Sequence, residues 1–412
     1  MTIRATSRSL ALAGLVASSM HCAQALAQET PASPTPAPHP IDIRIGYVRQ
    51  PIAVHMPSSF MEAPPPDEGI AGARLAIGDN NTTGRFTGQN FLLDEATVAP
   101  DADVSNAFRK LVSDGHTLIA VHLPAPALLK LADLPEAKSV TLLNISARDD
   151  ELRQEQCRAN VLHVIPSRAM LADALVQFLV LKRWRNVLLV PGPTDADKAY
   201  AAAIARAIKK FGAKLVETKP WTFDPGARRT DTGHFQIAAE VASFTQGISY
   251  DVLVVADEEN NFGSDISFRT ADPRPVAGTQ GLTPVAWARP FEQWGATQLQ
   301  NRFRRQSQRW MIERDYAAWM AVRAVGEAAT RARSSDQDQV AQFLHSDKFK
   351  LAGFKGVELS FRPWDGQLRQ PILLADADAL VSVSPQPGFL HQFSELDTLG
   401  VDQPESKCAL AK

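Results

Sequence analysis

From Ile41 onward, short β-branched runs alternate with longer helical stretches, and this rhythm confines the chain to parallel sheets flanked by helices. Ile41-Asp-Ile-Arg-Ile-Gly-Tyr-Val48 alternates as a strand, and Glu68 to Asn80 reads as a helix with Ile70, Ala73, Leu75 and Ile77 among its apolar positions. The run Asn80-Asn-Thr-Thr-Gly84 is expected to stop that helix. Phe91 to Asp94 is strand-like, Val104 to Ser113 helical, Thr117 to Val121 a strand, Ala127 to Leu131 helical and Val140 to Ile145 a strand. Such β-α-β units join parallel strands by right-handed crossovers.

The rhythm then restarts. Val161 to Ile165 is a strand, Ser167 to Trp184 a helix with Ser167 as N-cap, and Asn186 to Val190 a buried strand. Ala196 to Phe211 is a helix stopped by Gly212, Lys214 to Glu217 a strand, Phe235 to Ser243 a helix, and Tyr250 to Ala256 a strand running into the acidic turn Asp257-Glu-Glu-Asn260. Trp310 to Arg331 reads as one long helix, apolar on most faces and so packed in a core. Gly366 marks a turn before Pro371 to Ala375. Two open sheets in tandem, without an alignable repeat, imply two lobes. In open parallel sheets the ligand lies at the carboxyl ends of the strands. The loops from Tyr47 to Asp67, Asn144 to Glu151, Pro191 to Tyr200 and Asp257 to Asp265 would then face each other across a cleft.

The N-terminus sets the compartment. Arg4 and Arg8 precede an apolar run from Leu10 to Val16, and Ala25-Leu26-Ala27 offers a small-x-small cleavage pattern, so residues 1–27 read as a secretion signal. That run is too short to span a bilayer, which takes about 20 residues. Residues 28–40 follow as a spacer: five prolines between Pro31 and Pro40 exclude helix and sheet and favour an extended form. Cys22 leaves with the signal. Cys157 and Cys408 remain in an oxidising space, where the expectation is a disulfide between them; two separate thiols are the alternative. Cys157 lies near the expected first crossover and Cys408 in a polar tail.

Chemistry-bearing patterns narrow the function. The charged residues, 43 Lys plus Arg against 45 Asp plus Glu, give no basic field for nucleic acid. His116 and His122 bracket a strand without a His-Glu-x-x-His helix or a carboxylate cluster, so no metal site is expected. Asp101-Ala-Asp-Val-Ser105 opens like a calcium loop, but Asn106 and Val112 stand where Gly and Glu are required. No Gly-x-Ser-x-Gly elbow, dinucleotide fingerprint or Walker loop occurs, so neither a catalytic group nor a cofactor is expected. All seven tryptophans lie at or beyond Trp184, and packing is their expected role.

Several stretches carry a family resemblance. Ile45-Gly-Tyr-Val, Glu68 to Ile77, Asp79-Asn-Asn-Thr-Thr-Gly, Thr87-Gly-Gln-Asn, Pro191 to Tyr200, Asp315-Tyr-Ala-Ala-Trp and Val357 to Gly366 together resemble the type I periplasmic substrate-binding proteins of ABC importers, in the branched-chain amino-acid group. Tyr47-Val-Arg-Gln-Pro, the Pro64-Pro-Pro-Asp-Glu-Gly stretch and Cys157 to His163 resemble the branch found with pyrroloquinoline quinone (PQQ) dependent alcohol dehydrogenase systems. The resemblance implies an α/β fold of two lobes, each an open parallel sheet flanked by helices, joined by three crossovers. Residues 41–158 plus about 284–355 would form lobe 1, 159–283 plus about 356–400 lobe 2, and 401–412 a tail. It further implies a periplasmic, non-catalytic protein that captures a small molecule in the cleft and presents it to an ABC permease, with a PQQ-dependent dehydrogenase system as a further partner. The ligand contacts it implies are Tyr47, Ser58, Ser59, Asn144 and Ser146 from one side, and Asp195, Tyr200, Asp257 and Glu258 from the other. The long, proline-rich first loop departs from the short Ser/Gly loop of amino-acid binders. Two alternatives stand beside this reading: a secreted sensor or accessory module of the same fold, and a secreted α/β enzyme.

Overall fold

Strand β1 (Ile41–Arg49) alternates its side chains between two cores: Ile43, Ile45 and Tyr47 point to one and Val48 to the other. It is the second strand of a five-stranded parallel sheet built with α1 (Ile70–Thr87), β2 (Gln89–Thr97), α2 (Val104–Ser113), β3 (Leu118–His122), α3 (Ala125–Ala132), β4 (Thr141–Asn144) and β5 (Val161–His163), in the order β2-β1-β3-β4-β5. This computed structural model describes residues 40–51, 64–222 and 233–411. The expected secretion signal, most of the proline-rich spacer, Ser58 and Ser59 lie outside the described residues.

Strands β3 and β4 are buried along their whole length, as central strands covered by helices on both faces must be. Asp103 caps α2 by accepting from the Ser105 N–H. Two expectations change. Helix α1 does not stop at Asn80 but runs to Thr87, because Asn80 donates to the Val322 carbonyl, Asn81 pairs with the Phe91 backbone, and Gly84 lets the helix approach the Gln89 carbonyl. Strand β5 does not open the second sheet: Val161 to His163 pair with Leu142 to Asn144 and complete the first.

The second sheet has the order β7-β6-β8-β9, all parallel. Its elements are α4 (Arg168–Leu181), β6 (Asn186–Pro191), α5 (Asp195–Lys210), β7 (Lys214–Thr218), α6 (Gly233–Thr245), β8 (Val252–Ala256), α7 (Gly263–Ile266) and β9 (Val276–Gly278). Val187, Leu189, Val252 and Val254 face one core and Leu188, Val190, Leu253 and Val255 the other. Ser167 caps α4 as expected, accepting from the Met170 N–H.

The chain returns through β10 (Thr283–Val285) to α8 (Ala296–Ser307), α9 (Glu313–Ala332), α10 (Gln337–Leu344) and the hairpin strands β11 (Leu351–Ala352), β12 (Glu358–Phe361) and β13 (Leu368–Arg369). The long helix expected from Trp310 to Arg331 is α9, which starts three residues later at Glu313, and Gln308 in the left-handed region (φ 55°) ends the separate helix α8 before it. Strand β14 (Ile372–Ala375) pairs antiparallel with β10 and with β15 (Leu380–Ser384). It is the third connection between the sheets, since Leu373 packs in the core of the first and Ile372 and Leu374 in that of the second. Beyond it the tail folds back, and Cys408 forms a disulfide with Cys157, Cα to Cα 5.6 Å.

Candidate functional site

The two sheets present their carboxyl-terminal loops to each other, and the residues that meet there are charged. Arg168 is the first residue of α4, where the helix dipole disfavours a cation. Its guanidinium is held by the Glu258 carboxylate through two bonds, Nε to Oε1 at 2.8 Å and Nη2 to Oε2 at 2.7 Å. Asp149, in the loop after β4 of the other sheet, adds an ion pair at 3.1 Å. Burial opposes the Arg168 charge, but Glu258 and Asp149 outweigh it and hold the guanidinium above its ordinary pKa. The same loop supplies Asp150, which accepts from the Ala169 N–H at 2.9 Å, and Arg148, which pairs with Glu313 at the start of α9. Glu313 also accepts from the Ala286 N–H at 2.6 Å, just beyond β10.

Tyr200 on α5 is 3% exposed and lies close enough to Glu258, Arg148 and Glu313 for their charges to act on it. Burial first, then Glu258, pushes its phenol pKa up, so it stands as a neutral hydroxyl. Its ring packs in the second lobe's core with Ile204, Ala207 and Val254.

Most other expected contacts are occupied with internal structure. Tyr47 is fully buried on β1, inside the core rather than on a cleft wall, with its hydroxyl unpaired. Asn144 accepts from the Ser146 and Ala147 N–H groups at 3.1 and 2.9 Å, donates to the Ala147 carbonyl at 2.8 Å, and lies 3.0 Å from His163 Nδ1. Ser146 exchanges two bonds with the Leu123 backbone, at 2.9 and 2.8 Å. Asp257 accepts from the N–H groups of Asn261, Phe262 and Gly263 at 2.8, 2.8 and 2.6 Å, so it shapes its own turn. Asp195 is fully exposed and pairs with Lys198 at 3.0 Å, one helical turn on. Only Glu258 and Tyr200, of the described candidates, sit at the charged junction.

Sequence reasoning missed Arg148, Asp149, Arg168 and Glu313. One signal was available: an arginine directly after the Ser167 cap, at a position that favours acids, calls for a compensating carboxylate.

Beside the junction, a cavity of about 1220 Å³ lies between the segment before β9 and the residues after β10, with Phe268, Val276, Val285 and Trp287 among its walls. Trp287 follows Ala286, the partner of Glu313, and stacks on Tyr316 at 4.3 Å. On the other side Gln280 donates to Asn260, in the turn that carries Glu258.

With that geometry in hand, comparison with known proteins is decisive for the fold. Residues 66–231 match the family described as periplasmic binding protein. No curated protein matches the chain in sequence. Among solved structures, a branched-chain amino-acid ABC transporter periplasmic ligand-binding protein from Burkholderia xenovorans aligns with TM-score 0.67 at 16% identity, over 90% of this chain and 100% of its own. An ABC transporter substrate-binding protein from Desulfitobacterium hafniense in complex with Leu gives 0.63 at 15%, over 82% and 99%. A solute-binding protein of an ABC transporter from R. palustris in complex with benzoate gives 0.62 at 10%, over 89% and 99%. The chain has the two-lobed fold of periplasmic solute-binding proteins. The matched family and these neighbours are substrate-binding proteins, not enzymes.

Proposed function

We propose that the protein is a periplasmic solute-binding protein that captures a small molecule between its lobes and presents it, unchanged, to an ABC permease, in association with PQQ-dependent alcohol oxidation. The observation that carries this reading is the junction itself: Arg168 of the second lobe pairs with Asp149 of the first at the carboxyl ends of both sheets, with Arg148, next to Asp149, paired to Glu313. A molecule inserted there touches both lobes at once, and hinge closure needs a ligand that binds the closed form better than the open one. The neighbours with bound Leu and benzoate support a small-molecule cargo. The PQQ association is supported by the stretches around Tyr47, Pro64 and Cys157 that resemble that branch.

A thermal-shift screen covering PQQ, alcohols, aldehydes, short carboxylates and amino acids tests it, because ligand at about 100 times its dissociation constant adds about 2.7 kcal/mol of stability. The expected outcome is a hit without turnover that is weakened in Tyr200→Phe, a change that keeps the ring and removes only the hydroxyl. A screen without hits, or conversion of the bound compound, removes the reading.

A further inference from the structure

We infer that the ligand of this junction is an uncharged, largely apolar molecule, and that Arg168 is the residue that bars amino acids from it. The inference rests on the cleft reading above and takes it one step further, to the class of cargo. Two independent observations carry it.

The first is the state of the charges. An amino acid brings an ammonium group that needs a carboxylate, and of the three acids that follow β8 Glu259 is exposed to solvent while the two turned inward are both engaged. Asp257 accepts three backbone N–H groups of its own turn, and Glu258 is gripped by both forks of Arg168. A carboxylate ligand fares no better, since Arg168 is shared between Glu258 and Asp149, and Arg148 is paired with Glu313. The Arg168 and Glu313 side chains are 9% and 14% exposed, so a charged ligand would displace a shielded partner and leave its charge uncompensated. A neutral molecule asks for no such exchange. Tyr200, held as a neutral hydroxyl, remains to hydrogen-bond it.

The second observation is the adjoining cavity. Trp287 of its wall follows Ala286, the partner of Glu313, Gln280 of its wall donates to the Asn260 side chain, and its walls are mainly apolar. Trp287 is fixed as a wall by its stack on Tyr316, whose hydroxyl donates to the Gly353 carbonyl. Phe268, with a left-handed backbone (φ 66°), holds its ring wholly in solvent at the cavity, a costly arrangement for a large apolar side chain. Arg274 and Arg289 at the cavity are balanced by Asp376 and Asp378, so it presents no net charge. A mainly apolar cavity whose charges balance suits the same uncharged class of ligand.

Hexanol, hexylamine and hexanoate share one apolar chain and differ only in the head group, and titration calorimetry of the three against the full-length protein tests the inference. Wild type is expected to bind hexanol about tenfold more tightly than either charged probe. Arg168→Met frees Glu258 and should gain about tenfold for hexylamine, whereas Glu258→Gln frees Arg168 and should gain for hexanoate. The opposite signs of these two variants separate a charge filter from simple damage to the fold. Ala271→Trp, at an exposed position on the cavity, should weaken hexanol. Wild type preferring a charged probe or failing to bind hexanol, or neither charge variant showing its gain, overturns the inference. A charged hit in the broader screen that still depends on Tyr200 overturns it while the cleft reading stands. No hit in either experiment removes both.

Discussion

The two lobes hold their helices by different mixtures of close fit and buried charge. In the first, α1 and α9 meet by steric fit: a Cβ on Gly72 would lie 1.8 Å from the Asp315 carbonyl oxygen, so the two backbones touch where no side chain fits. Around that contact Ile70, Ala73, Tyr316 and Met320 pack, while the buried Asp315 carboxylate accepts from the Gly69 N–H and pairs with Arg309, and Trp319 donates to Asp79. In the second lobe, α4 and α5 meet over a buried carboxylate. Asp173 is fully buried and takes Arg206 at 2.6 Å, Lys210 at 2.8 Å and the Gly400 N–H at 2.8 Å, while Lys210 also reaches the carbonyls of Thr398 and Gly400. Both lobes bury a carboxylate at their helix contact; the first adds a close approach that only a glycine permits, the second a charge that recruits the tail. The lesson is that the tail is part of the second lobe's architecture, not an appendage to it.

The disulfide gives the largest test of that view. From Gly400, anchored to Asp173, eight residues lead to Cys408, which is bonded to Cys157 in the connection between β4 and β5 of the first lobe. The bond closes a loop of 251 residues, and the chain-entropy account gives about 5 kcal/mol for a loop of this length. Cys408→Ser, followed by chemical denaturation, should lower stability by an amount of that order. An unchanged midpoint would mean that the noncovalent ties of the tail suffice.

Next in size come the two helix contacts, compared directly. Asp173→Ala should cost about 3 kcal/mol, because Arg206 and Lys210 are left facing an apolar gap, and it should also expose the tail to proteolysis. Gly72→Ala should cost about 2 kcal/mol by overpacking against backbone that cannot turn aside, with the tail unaffected. Equal proteolysis of both variants would erase the distinction between the lobes.

A smaller effect separates the lobes by pH. The first lobe contains a buried base without a counter-charge: burial, then Arg314 and Arg49, lower the His122 pKa to about 3. The unfolded chain, with histidine near 6.5, binds the extra proton between these values, so stability falls as pH drops from about 6.5 to 3. His122→Phe should flatten that part of a melting-temperature profile relative to wild type. The Asp173 cluster is present in both proteins and cancels in the comparison.

The same contrast explains what the sequence disclosed. Packing writes itself into periodicity and a cap bonds its own helix, so the alternation of β1, the boundaries of α2 and the Ser167 cap could be read directly. Polar partners from other elements do not, because Asn80 and Asn81 look like a stop until Val322 and Phe91 are brought to them by the fold. The site suffered in the same way. Asn144, Ser146 and Asp257 have the right chemistry and lie on the right loops, but each satisfies backbone groups that would otherwise be buried without partners. Arg168 and Glu313 fall outside the strand-end loops, on the first residues of α4 and α9, and only tertiary contact brings them to the junction.

Asp195 provides the smallest and most discriminating prediction, since its loop position alone made it a candidate contact. It is the first residue of α5, where an acid favours the helix dipole, and its side chain is fully exposed beside Lys198. The cap of that helix is made by Thr194 with Asp197, which exchange bonds at 3.1 Å each, so removal of Asp195 leaves the cap intact. Asp195→Ala should therefore cost no more than about 0.5 kcal/mol, the scale of an exposed pair and a dipole contact. It should leave the affinity for any screening hit unchanged, whereas Glu258→Gln, one loop away, should alter the charge preference of the site. Calorimetry on both variants with the same ligand decides the matter: a loss of binding in Asp195→Ala would move the site from the buried junction out to the exposed end of α5.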